Sequence, residues 1–170
     1  MDQQTIWYIA QAIGFLAFGL GVTGFLQKRD QRMKSIMTGQ AVIMAVHFAM
    51  LGAYGGMVAA GVTAVRNMAA MSARARPLAP VFILIYIVLG YFSYSVWYDV
   101  LPIIAVCIGT VAFFYLEGIA TRLCLGGATS LWLVHNIAAG SIGPSLMEIV
   151  NLGAHFTTIY RLYRDDTRSV

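Results

Sequence analysis

Glu148, Asn151 and His155 follow one another at spacings of three and four, so a helix would place a carboxylate, an amide and an imidazole on one face. Such groups can pass a proton or hold a polar solute by hydrogen bonds. Gln40, Met44 and His47 repeat the pattern at spacings of four and three. Trp132, His135 and Asn136 lie close together, Thr63 and Asn67 are four apart, and Gln11 lies in an apolar stretch. The set consists of donors and acceptors plus one indole that could serve as a stacking wall. It does not resemble catalytic machinery. The chain has no HExxH, no GxSxG and no Walker lysine loop, and Glu148 lacks a carboxylate partner for general acid and base work. Cys107 and Cys124 form neither a CxxC nor a Cys/His cluster. The expectation is a non-enzyme without metal or cofactor, whose thiols are free and buried.

His47 and His135, two of the three histidines, are 88 positions apart, and the residues around them match at the same offset. Met33 to Asn67 aligns with Thr121 to His155. Within it Gly39 falls on Gly127, Val46 on Val134, Gly52 on Gly140, Gly55 on Gly143 and Val62 on Val150, with Lys34 on Arg122. Upstream, Ala17 meets Ala105, Gly21 meets Gly109 and Phe25 meets Phe113. The sequence thus predicts a duplicated unit of about 70 residues. Under it Met44 pairs with Trp132, Thr63 with Asn151, and Asn67 with His155.

The elements that carry these residues must be membrane helices. Of 170 residues, 59% are hydrophobic and 11% charged, and the mean hydropathy is +0.75. A soluble domain carries about a quarter charged residues. A net charge of +4 does not point to nucleic acid, because the basic residues sit in short clusters between apolar segments, as topology signals do. The opening Met1-Asp2-Gln3-Gln4 has no basic n-region, so the first apolar segment reads as a retained helix.

Seven helices are expected, over 5–26, 35–54, 57–74, 79–96, 101–117, 122–140 and 145–163. Basic connections at 27–34 and 73–77 alternate with uncharged tight turns at 54–56 and 140–144, an acidic aromatic turn at 97–99 and a charged turn at 117–122. With the first terminus outside, all eleven Lys and Arg fall on the cytoplasmic side, Arg66 by snorkelling. The predicted orientation is N-out, C-in. Helices 1–3 and 5–7 then run in the same sense, with helix 4 between them. This is a 3+1+3 plan of parallel repeats, as in the SWEET class of transporters, divided into 1–78, 79–98 and 99–170. His47 and His135 would sit at equal depth. The polar faces, with Gln11, Gln40, Asn67, Trp132, Asn136, Asn151, Glu148 and His155, would converge on a midplane cavity.

Each residue has a plainer reading as well. His47 and His135 would serve as interhelical glue, Glu148 as a water-facing group at a mouth, Arg66 as a snorkelling or ion-paired side chain, and Trp132 and Met44 as packing.

Val134-His135-Asn136, then Ala139-Gly140-Ser141-Ile142-Gly143, and Glu148 resemble the YgjV family of bacterial inner-membrane proteins. His47-Phe48, Leu51-Gly52 and the basic stretch after helix 1 are similar to that family's first half. The resemblance implies a multi-pass protein of a bacterial inner membrane and supplies no catalytic or binding residues. A more distant likeness in architecture is to the SWEET, PQ-loop and PnuC-type transporters. The chain departs from these in having no Pro-Gln dipeptide and no proline in the middle of helices 1, 2 and 6.

Three functions follow from these expectations. The first is alternating-access transport of a small polar or nucleoside- or vitamin-like solute. The second is a non-transporting adaptor or structural subunit. The third is proton-coupled movement through Glu148 and His155. The expected partners are the lipid bilayer and a small solute, without nucleic acid; the oligomeric state is left open.

Overall fold

The computed structural model describes residues 2–51, 54–94, 96–138 and 142–167. Among them are seven α-helices: α1 (Gln3–Phe25), α2 (Asp30–Met50), α3 (Tyr54–Ala69), α4 (Ala79–Ser93), α5 (Val100–Tyr115), α6 (Gly118–Ala138) and α7 (Ile142–Asp166). Short 3-10 segments at Ala73–Leu78 and Trp97–Asp99 lead into α4 and α5. The ends follow from local chemistry. Asp2 caps α1 by accepting from the Thr5 N–H at 2.9 Å. Pro80 lies in the first turn of α4, where its missing N–H is harmless. Gly118 opens α6 at φ +58°, so a connection of only Leu116 and Glu117 can reverse the chain.

Seven helices were expected, and seven are found, but several ends differ. Charged residues read as loop lie inside helices. α2 starts at Asp30 and takes in Arg32 and Lys34, and α6 starts at Gly118 and takes in Arg122. α3 ends at Ala69, before the Pro77-containing 3-10 segment, and α7 continues to Asp166. Tyr54, Gly55 and Gly56 belong to the first turn of α3, and Gly143 and Pro144 to that of α7, where tight turns were expected. Gly52, Ala139, Gly140 and Ser141 lie outside the described residues.

Among the described residues, three segments are long and apolar enough to cross a membrane: Gln3–Phe25, Ala73–Phe92 and Trp97–Tyr115. The other helices are diluted by polar residues such as Lys34, Arg122 and Glu148 that the fold buries, or are short like α3.

Each helix packs on the next in sequence, and α7 closes back on α1. α2 packs extensively on both α1 and α3, and α6 on both α5 and α7. The main apolar cluster joins Met33, Ala70, Phe82, Tyr86, Phe113, Phe114 and Leu125, with Phe82 and Phe114 stacked at 5.9 Å. In lipid the drive is close packing rather than expulsion of water. Accordingly α1 buries Ala10, Ala17, Gly21 and Gly24, and a Cβ on Gly90 would overlap the Ile103 side chain. Phe15, Phe92 and Phe156 face outward, as suits a lipid-facing surface.

Candidate functional site

The two aligned histidines make the same contact. His47 Nδ1 lies 2.7 Å from the Ala10 carbonyl, and His135 Nδ1 lies 3.0 Å from the Tyr98 carbonyl. Each acceptor is 37 residues upstream of its histidine. A carbonyl can only accept, so Nδ1 carries a proton in both rings. The helices keep the same register. α2 and α6 both have 21 residues, and their starts, like those of α3 and α7, are 88 positions apart. The neighbourhoods differ. A Cβ on Gly14 would come within 3.1 Å of the His47 ring. His135 is instead framed by Tyr98 at 5.5 Å and Trp132 at 5.8 Å.

On α7 the stripe is buried as its spacing predicts. Asn151 donates to Glu148 Oε2 at 3.2 Å. His155 does not reach Glu148. Its Nε2 lies 3.3 Å from Thr129 Oγ1, and its ring sits 4.2 Å from Phe25. Asn67 and His155, 88 positions apart, are each 1% exposed. Asn67 Oδ1, Asn151 Oδ1 and His155 Nδ1 have no partner among the described residues. Buried polar atoms rarely stay unbonded, so these are the places where water or a solute would bind. Asn136 is buried, whereas Gln11, Gln40 and Trp132 are half-buried. Among the candidates, Trp132 packs on His135 and Asn151 bonds Glu148, whereas His155 contacts Thr129 and Phe25, and His47 contacts the Ala10 carbonyl. A cavity of about 190 Å³ between α6 and α7 is lined by Arg122, Gly126, Gly127, Ser130, Leu152 and His155 among others. Of the expected site residues only His155 reaches it.

Sequence reading passed over the cations. Arg122, expected in a turn, is fully buried. Its Nη2 donates to the Gln27 carbonyl at 2.9 Å and pairs with Asp30 Oδ1 at 2.8 Å, and its Nη1 meets Met33 Sδ. Asp30 Oδ2 accepts the Gly118 N–H at 2.6 Å. Nearby, Thr158 donates to the Phe25 carbonyl at 2.8 Å, Arg161 to the Leu26 carbonyl at 3.1 Å, and Lys28 pairs with Asp165. The α1–α2 connector is thus gripped by α6 and α7. Lys34, aligned with Arg122, stays within its own half and donates to the Ala70 carbonyl at 3.0 Å. Arg66 does not snorkel. It is 6% exposed, stacks on Phe113 at 4.7 Å, and pairs with no carboxylate among the described residues. Cys107 and Cys124 are free but half-buried rather than fully buried.

Apolar spans around an interior of buried amides, an imidazole and cations define a polytopic α-helical membrane protein. The chain matches the Imp-YgjV model, described as bacterial inner membrane protein, over residues 8–166, and it belongs to that family. It is 28% identical over 166 residues to inner membrane protein YgjV of Escherichia coli (strain K12), covering 98% of this chain and 91% of that relative. No solved structure matches. The resemblance to the YgjV family and the bacterial inner-membrane location stand.

Proposed function

We propose that this protein is a small SWEET-like transporter. Two like-oriented three-helix units, α1–α3 and α5–α7, are joined by α4 and move a small polar, nucleoside- or vitamin-like solute by alternating access. The chain runs N-out, C-in, and no catalytic step is involved. The observation that carries this reading is the repeated contact, His47 to the Ala10 carbonyl and His135 to the Tyr98 carbonyl, at one offset in two units. It supports units of the same fold and sense, which are the parts a rocking transporter needs. The unpartnered atoms of Asn67, Asn151 and His155 supply the hydrogen-bonding lining. The test is uptake of sugars, vitamins and nucleosides into proteoliposomes. Saturable flux of one class, reduced at least about tenfold by Asn67→Leu or Asn151→Leu in protein of unchanged melting temperature, is the expected result. Absence of flux and of ligand-induced thermal shifts across the screen removes the proposal.

The adaptor reading draws on a specific observation too. Both histidines already use Nδ1 to bind helices together, as glue would. His47→Leu with His135→Leu separates the two readings: an adaptor loses stability alone, whereas a transporter also loses flux in the folded fraction. Proton coupling would have to pass from Glu148 to His155 through an intervening group, because Glu148 contacts Asn151 and His155 contacts Thr129. Unchanged pH dependence of flux in Glu148→Gln would eliminate it.

A further inference from the structure

A cavity of about 400 Å³ lies where the α1–α2 connector meets the end of α7, lined by Leu26, Gln27, Lys28, Arg29, Arg32 and Arg161. Four of the six lining residues are cations. Lys28 and Arg29 come from the connector, Arg32 from the first turn of α2, and Arg161 from the other end of the chain. Within this group Lys28 is paired with Asp165. Arg161 spends one N–H on the Leu26 carbonyl. Arg29 and Arg32 are exposed and have no carboxylate partner among the described residues. Basic residues that act only as topology signals need not converge, whereas these four surround one space.

We propose that this cavity holds the phosphate headgroup of an anionic phospholipid of the inner membrane. Guanidinium groups match phosphate oxygens with paired N–H donors, and basic pockets between membrane helices at the cytoplasmic side are suited to such headgroups. The surroundings favour a lipid over a free anion. Tyr160 and Tyr163 bracket Arg161 on α7 and are 64% and 61% exposed, as interfacial tyrosines are. Phe156, one turn further along α7, is exposed as well, and Leu26 forms part of the cavity wall, so an acyl chain leaving the headgroup would meet apolar surface. The lipid would bridge the connector to α7 and reinforce the grip described above.

The test uses purified protein in detergent, with native mass spectrometry and thermal melting. The added probes are phosphatidylglycerol, cardiolipin, phosphatidylcholine and inorganic phosphate. Phosphatidylglycerol and cardiolipin should stay bound and raise the melting temperature, and phosphatidylcholine should do neither. Arg29→Gln with Arg32→Gln should weaken anionic-lipid binding about 30-fold, from about 1 kcal/mol per cation at the surface, and leave the melting temperature in phosphatidylcholine unchanged. Equal stabilisation by phosphatidylcholine overturns the proposal. So does equal stabilisation by inorganic phosphate, which would mark a free-anion site. Wild-type lipid retention in the double variant overturns it too. None of these readouts depends on transport.

Discussion

Replacing Arg122 should have the largest effect of any single charge in the chain. Its side chain is inaccessible to solvent, and that of its partner Asp30 is 17% exposed. Removing one member of a buried pair typically costs about 3–5 kcal/mol, because the other charge is left uncompensated. In Arg122→Met, Asp30 still keeps the Gly118 N–H at 2.6 Å and a little solvent. This places the loss at the lower end, about 3 kcal/mol. For a chain of this size that is a fall of about 6–12 °C in melting temperature. Arg122→Lys should fall in between. A lysine keeps the charge but cannot reach Asp30, the Gln27 carbonyl and Met33 together from a planar fork. The assay is thermal melting in one detergent, with Asp30→Asn and the double variant completing a cycle. The pair is real if the double variant is more stable than the sum of the single losses predicts, by about 1 kcal/mol or more. A melting temperature for Arg122→Met within about 2 °C of wild type, or strict additivity, would refute the reasoning.

Three further outcomes follow from single sites. Arg66→Met should leave stability unchanged or raise it by about 1–3 kcal/mol, since the desolvation of a guanidinium with no carboxylate partner among the described residues outweighs its stacking on Phe113 and its hydrogen bond with Tyr86; a clear drop in melting temperature would mean that these two contacts outweigh the desolvation. Gly14→Val should cost about 1–3 kcal/mol by pushing the His47 ring off the Ala10 carbonyl, and His47→Ala in the same chain should recover part of the loss. Asp165 is held below the usual carboxylate range, first by the hydrogen bond from Lys28 and then by the charges of Lys28, Arg164 and Arg161. Its contribution is therefore full above the ordinary carboxylate range, flat over about pH 5–8, and lost as pH falls through the lowered value; the difference between wild type and Asp165→Asn should vanish in acid and shrink with salt.

The helices and the duplicated histidine were legible because each rests on a local pattern. Apolar runs bounded by charge give spans, and two histidines 88 positions apart in like surroundings make two like contacts. The same rule misplaced the helix ends. Charged residues were assigned to loops, although Asp30, Lys34 and Arg122 make their partners from within the first turns of α2 and α6. Burial of Arg122 depends on the Gln27 carbonyl and on Asp30, 95 and 92 positions away, and no spacing within one helix encodes that. Arg66 misled for a related reason. Its level along α3 suits snorkelling, but Tyr86 and Phe113 enclose it from α4 and α5. The α7 stripe was read as one face; its three residues are buried, and the partner of His155 comes from α6 rather than from Glu148.

The placement of these bonds bears on how the halves could move. The bond of His47 joins α2 to α1, and that of His135 joins α6 to the turn leading into α5, so under the proposed rocking they would travel with their own units. The side-chain bonds given above from α6 and α7 to the first unit all end on residues 25–33: Arg122 and Gly118 on Asp30, Arg122 on Gln27 and Met33, Thr158 on Phe25, Arg161 on Leu26, and Asp165 on Lys28. Separating the units at that end breaks the whole set, whereas separating them at the end bearing His47 and His135 breaks none of it. If the units rock, this conformation is closed at the connector. Arg122→Met should then favour the opposite conformation and increase labelling of a cysteine placed at Gln27, relative to the same cysteine in otherwise wild-type protein. Equal labelling rates in the two backgrounds would mean that the connector is a fixed brace and not a gate.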